Sequence, residues 1–241
     1  MRVGLFSDVH GNGLGLDAVL ADLDEAQVDR LVCLGDLVEG GPHPAYCLHR
    51  VCELGCPVVL GNTDHWLVNH RFDGDEDDVR SHIGAWALEQ LADGDRDLVR
   101  GFVPSHELDL DGGRRLLAVH GTPDSFLDTI EPDASEAELA GLLGDATALA
   151  AGHTHVQWQR RVGERVVLNP GRVSGPLGGR ELRSVRSDFD GAADYALLTV
   201  ERDGLSVELR RVEYPLDELR RAILDSRMPG AEELTRVLDV S

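Results

Sequence analysis

The sequence predicts an α/β fold, a single domain over residues 1–241 in which helices cover two β-sheets. Two observations carry this expectation. Apolar runs alternate with helix-periodic stretches through the first 155 residues, the signature of a parallel α/β layer. Beyond residue 103 the runs also include short, turn-linked pairs, which is how antiparallel strands are written. A chain of 241 residues buries a real core without covalent staples.

Taken in order, "RVGLF" is a strand, and "GLGLDAVLADLDEAQ" is a helix with Leu14, Leu16, Val19, Leu20 and Leu23 along one face. "RLVCL" is the next strand, "PAYCLHRVCEL" a helix, and "PVVL" at 57–60 a third strand. Residues 65–103 read as a helical insertion, with the acidic "DGDEDD" a solvated loop before "VRSHIGAWALEQLA". "SHELDLDG" and "RRLLAVHG" pair across Gly112 and Gly113 as a hairpin. Strands follow in "ATALAAG", "VQWQRRV", "RVVLN", "DYALLTVERDG" and "LSVELRRVEY", and the tail, 215–241, holds two short helices.

Composition narrows the function. The formal net charge is −21 and every basic side chain is Arg, which argues against broad nucleic-acid or anionic-membrane binding. A small anionic substrate is compatible if bound cations offset the field. Cys33, Cys47, Cys52 and Cys56 lie in one stretch without paired CxxC clips and read as buried thiols of a reducing compartment. The N-terminus reaches Asp8 too soon for a signal peptide, and no apolar run approaches membrane-spanning length, so the expected location is cytoplasmic. Oligomeric state is left open.

The strand ends carry the chemistry. "LFSDVH", "VCLGD", "VVLGN", "LLAVHG" and "LAAGHTH" deliver Asp8 with His10, Asp36, Asn62, His120, and His153 with His155. Singly, each has an ordinary explanation as a cap, a turn or a hydrogen-bonded core histidine. One shared crevice at the C-terminal strand ends explains all of them together. Residues two apart, as in Asp8/His10 and His153/His155, are expected to face one side of extended chain. Oxygen and imidazole donors without thiolate suit Mn, Fe, Co, Ni or Zn, and seven donors fit two ions sharing a carboxylate.

"DVH", "GD", "GN", "HG" and "GHTH", in this order and with these gaps, resemble the calcineurin-type metallophosphoesterase family, whose pattern is DxH, GD, GN, a lone His and GHxH. The match runs through "LNPG", about the first 170 residues. The resemblance implies a four-layer αββα sandwich with two facing mixed β-sheets. It implies two divalent transition-metal ions, Mn first and Fe, Zn, Ni or Co as alternatives. One takes Asp8, His10, Asp36 and His155, the other Asn62, His120 and His153, with Asp36 bridging and a metal-activated hydroxide attacking phosphorus. Asp36 and His120 are then the central catalytic residues, and Asn62 also contacts substrate. A rival reading of "GNGLG" as a dinucleotide-binding turn fails, because Asp8 would set a carboxylate against the pyrophosphate. A non-catalytic protein-binding scaffold would be expected to lose ligands, and this chain keeps all seven.

Two departures from the family pattern narrow the substrate. Thr63 stands where many relatives carry the His that protonates the leaving oxygen, with the next residue, here Asp64, orienting it; His65 is the candidate replacement acid. Gly40 stands where protein phosphatases of the family carry a phosphate-gripping Arg, for which Arg172 or Arg180 are candidates. The expectation is a phosphodiesterase for small phosphorylated, nucleotide-like substrates, with a phosphomonoesterase or protein phosphatase as the alternative. Trp66, His70, Arg71, His82 and Trp86 are candidates for base stacking or phosphate contact, Trp86 also for core packing.

Overall fold

The computed structural model describes residues 1–69, 79–175 and 191–238. Its first sheet has the order β2-β1-β8-β9, from β1 (Arg2–Phe6), β2 (Arg30–Cys33), β8 (Ala192–Glu201) and β9 (Gly204–Glu213). The second has the order β3-β4-β5-β7-β6, from β3 (Ser105–Leu110), β4 (Arg114–Val119), β5 (Ala148–Ala150), β6 (Trp158–Val162) and β7 (Arg165–Asn169). β1 and β2 run parallel, as do β4, β5 and β7, while β8, β9, β3 and β6 pair antiparallel to their neighbours. Both sheets are therefore mixed.

Period-2 alternation stacks the layers. Val3 and Leu5 of β1, Leu116 and Ala118 of β4, Val166 and Leu168 of β7, and Ala196 and Leu198 of β8 share one buried core, which lies between the sheets. The alternate residues face outward. Phe6, Tyr195 and Leu197 pack with Leu16, Val19 and Leu20 of α1 (Gly13–Glu25), Leu48 of α2 (Pro44–Glu53), and Leu219 and Ile223 of α7 (Leu216–Ser226). Val119, Leu149 and Val167 pack with Leu139 and Leu143 of α6 (Glu136–Leu143). Helix, sheet, sheet and helix make the expected αββα sandwich. Gln157 helps join the sheets, its Nε2 lying 2.9–3.1 Å from the carbonyls of Pro170, Tyr195 and Arg210.

Some local expectations change. "PVVL" forms no full strand: Val58 bridges Cys33 and Val59 bridges Val103, because the chain turns away after two pairings. The excursion that follows contains α3 (Asn62–Asn69), α4 (Val79–Glu89) and α5 (Asp95–Arg100), and it closes where Leu60 N–H donates to Val103 at 2.7 Å. α6 was not anticipated, although "SEAE" carries its start signal: Ser135 Oγ accepts from Glu138 N–H while Glu138 accepts from Ser135 N–H. The hairpin turns through Gly112 and Gly113, both at positive φ, as expected. The tail folds as α7 and α8 (Ala231–Leu238), and all four cysteines are free. No described helix is long and apolar enough to cross a membrane. "DGDEDD", His70, Arg71 and Arg180 lie outside the described residues.

Candidate metal centre

The parallel strands of both sheets release their chains toward one place. β1 leads to Asp8 and His10, β2 to Asp36, β4 to His120, and β5 to His153 and His155, while Asn62 opens α3. The two-residue spacing brings Asp8 and His10 together but sends His153 and His155 to different partners, and neither pair is set by extended alternation. Asp8, His10, Asp36, His153 and His155 all have φ between 44° and 67°. Left-handed backbone at non-glycine residues costs about 1–3 kcal/mol each and persists where the surroundings over-determine it. Here it turns five side chains into one crevice.

Two donor groups result among the described residues. Asp8, His10 and His155 place their donor atoms within 4.8 Å of one another, and so do Asp36, His120 and His153. In the first group, His155 Nε2 lies 3.1 Å from His10 Nε2 and 3.2 Å from Asp8 Oδ1. Asp36 stands between the groups, its Oδ2 3.6 Å from His10 Nε2 and 3.5 Å from His120 Nε2. Asn62 Oδ1 lies 3.0 Å from His120 Nε2.

Main-chain partners aim the donors. His10 and His120 direct Nδ1 at the carbonyls of Glu39 and Leu34, both at 2.7 Å, and His153 directs Nε2 at that of Leu127 at 3.2 Å. A neutral ring that donates there keeps a lone pair on its inward nitrogen. The carboxylates follow the same logic. Asp8 Oδ2 accepts from His153 N–H at 3.1 Å and Asp36 Oδ1 from Thr63 N–H at 2.9 Å, leaving one oxygen of each for the crevice.

The charges agree with a cation site. Burial raises the Asp8 carboxyl, but the charge and hydrogen bond of His155 outweigh it and hold the group at about 2. Burial likewise opposes ionisation of Asp36, and His120 with His10 overcomes it, keeping Asp36 well below the usual range. Burial works against a charged His120, yet Asp36 lifts it to about 9, while burial lowers His10 and His153. The two groups offer only carboxylate and imidazole donors, with the Asn62 amide beside the second and Asp36 between them, a set that fits two divalent ions of the oxygen- and nitrogen-binding kind.

The sequence named Asp64 only as the partner of an acid at position 63 and missed its hold on the main chain, and it missed Asn169 and Asn12 as positioning residues. Asp64 is buried and accepts N–H groups of Asp36, Leu37 and Gly61. Burial and the Asp36 charge raise its carboxyl to about 7. Asn169 donates to Gly152 and Thr154 and so holds the "GHTH" loop. Asn12 caps α1 through Gly15 and donates to the carbonyls of Val173 and Ser174, the latter hydrogen-bonded to Asp8. Their signal was weak, since Asn and Asp beside glycine also read as turns.

Thr63 is buried, and its hydroxyl makes no hydrogen bond among the described residues. His65 is half-buried on α3, with its ring centroid 4.7 Å from that of Phe126. Trp66 is half-buried on α3, Trp86 packs against the outer core, and His82 is exposed. Arg172 follows β7 near Asp194, whose carboxyl burial holds above its ordinary value although Arg211 and Arg172 pull it down.

A family model described as a calcineurin-like phosphoesterase superfamily domain matches residues 1–192. An uncharacterized protein of Methanocaldococcus jannaschii is 23% identical over 236 residues, covering 94% of this chain and 93% of that protein. A metallophosphoesterase structure from Sphaerobacter thermophilus is similar with TM-score 0.76 and 28% identity, covering 100% of this chain and 99% of its own. A hypothetical protein from Pyrococcus horikoshii OT3 has a similar fold, with TM-score 0.80, 20% identity and coverage of 98% and 97%.

Proposed function

The chain belongs to the calcineurin-like phosphoesterase superfamily, and on that premise we propose that it is a phosphodiesterase for small, nucleotide-like diesters or anhydrides, acting in the cytoplasm. The observation that carries a two-ion reading is the position of Asp36 Oδ2, nearly equidistant from His10 and His120. Asp8, His10, Asp36 and His155 would hold one ion and Asn62, His120 and His153 the other, with Asp36 shared and Mn preferred. Bound there, divalent ions supply Lewis acidity and neutralise charge on the phosphoryl oxygens.

The chain's own residues supply geometry. His10, His120 and His153 present inward nitrogens because their outer nitrogens are engaged, and Asn62 offers a neutral oxygen beside them. Diester preference is supported by Thr63, since a hydroxyl is too weak an acid to protonate a poor leaving group. His65 is the replacement acid in this proposal: it stands one turn beyond Asn62 on α3, and its ring is only half-buried. Arg172 is the proposed cationic contact for substrate.

The test is elemental analysis of purified protein together with hydrolysis of bis-p-nitrophenyl phosphate. Wild type is expected to carry up to two transition-metal ions per chain and to turn the diester over. Asp36→Asn and His120→Ala are expected to remain folded and lose that activity. Full activity in either folded variant would refute the assignment, and a metal-poor, inactive wild type would favour a scaffold.

A further inference from the structure

Phe126 is an aromatic residue outside the three hydrophobic cores formed by the described residues. It lies on the loop after β4, the strand that delivers His120, and its ring meets His65 at a centroid distance of 4.7 Å and a tilt of 37°. His65 is three residues beyond Asn62. The next residue after Phe126 is Leu127, which is 46% exposed and accepts from His153 through its carbonyl. The pair is thus tied on both sides to the group of Asn62, His120 and His153. Both rings are half-buried, so each keeps open surface.

The loop is held in shape by its own hydrogen bonds. Thr122 N–H donates to Ser125 at 2.7 Å, and Ser125 Oγ accepts the N–H groups of Leu127 and Asp128 at 3.1 and 3.2 Å. It folds across Gly121 so closely that a Cβ there would meet Asp128 O at 2.3 Å and Ser125 O at 2.6 Å. An aromatic side chain fixed on such a loop can bind a ring with little further ordering cost.

We infer that Phe126, backed by His65, forms a subsite for an aryl or nucleobase ring of the substrate, next to the phosphoryl site. This deepens the phosphodiesterase reading and rests on it. Stacking accepts any flat ring, so the subsite selects aromatic over alkyl esters without choosing one base. Phe126 is a specificity-determining residue here, separate from the metal-binding donors.

Calorimetry of the Mn-loaded protein with phenylphosphonate and methylphosphonate tests this without turnover. Wild type is expected to bind phenylphosphonate about ten-fold more tightly than methylphosphonate, within the range of one stacking contact. Phe126→Ala is expected to bring that ratio close to one, as is Phe126→Leu, which keeps apolar volume if the alanine variant fails to fold; Phe126→Tyr should retain the preference. A ratio near one in wild type, or an unchanged ratio in the folded leucine variant, overturns the inference. Turnover of bis-p-nitrophenyl phosphate separates the two claims. Turnover without phenyl preference refutes only the aryl subsite, whereas phenyl preference that depends on Phe126, without turnover, supports the subsite and refutes the diesterase reading.

Discussion

Asp64 grips the backbone of Asp36: its Oδ2 accepts the Asp36 N–H at 2.7 Å, while its Oδ1 takes the next amide, Leu37, at 3.0 Å. Asp36 returns the connection through Thr63 N–H at 2.9 Å. The left-handed turn that aims Asp36 is therefore held by a second buried carboxylate. In Asp64→Asn one oxygen becomes an NH2 group facing an N–H donor. We expect a stability loss of about 1–3 kcal/mol and weaker metal binding, read by thermal melts and metal titration. An unchanged melt and unchanged affinity would show that the grip is dispensable.

A pH series separates proton from metal at His120. Its folded pKa is raised from 6.5 to about 9, so the stabilisation from its imidazolium is complete below 6.5 and is lost as pH rises through about 9. Metal needs the same nitrogen unprotonated, so metal affinity is expected to rise across that window while the metal-free protein loses stability. Asp8 acts at the other end. Its carboxyl is lowered from 3.8 to about 2, so its contribution is present above 3.8 and disappears as pH falls through 2. Melting curves of chelator-treated protein beside metal titrations at matched pH check both directions.

Gly152 makes a third test, through space. A Cβ at this position would meet Ser7 Oγ at 2.1 Å and Asp8 Oδ2 at 2.9 Å. Gly152→Ala should push Asp8 away from His153 N–H and cost the ion held with His10 and His155, while the three cores stay intact. Elemental analysis is expected to fall toward one ion per chain with circular dichroism unchanged. Full metal content would mean that Ser7 alone yields.

Why the site was legible while parts of its framework were not follows from what each kind of contact needs. Asp8, Asp36, His120 and His153 stood out because apolar strands stop abruptly at polar side chains, and side-chain type is written in the sequence. The carbonyls of Leu34, Glu39 and Leu127 that orient the imidazoles leave no such mark, since every residue has one. The strands were visible as apolar runs, such as Leu116–Val119, whose alternate residues serve two different cores only in the folded chain, whereas "PVVL" had a strand's composition without a neighbour for more than two pairings. The left-handed turns at His10 and His155 arise only when strands from both sheets fix where the chain must go.

The leaving group gives the last prediction. Thr63 offers only a hydroxyl beside Asn62, and a hydroxyl lacks the acidity to protonate a departing oxygen. Hydrolysis should therefore fall steeply along a series of aryl diesters as leaving-group pKa rises. His65 is the proposed moderator of that fall, since it lies one turn beyond Asn62 on α3 with its ring half-buried. In His65→Ala the slope against leaving-group pKa is expected to steepen, with the poorest leaving groups losing about 10²-fold or more, the usual contribution of a positioned acid. Phe126→Ala is the control that matters, since it removes the ring beside His65 and should change affinity for aryl ligands more than the slope. An identical slope in wild type and His65→Ala would mean that His65 donates no proton and serves only as a wall of the pocket.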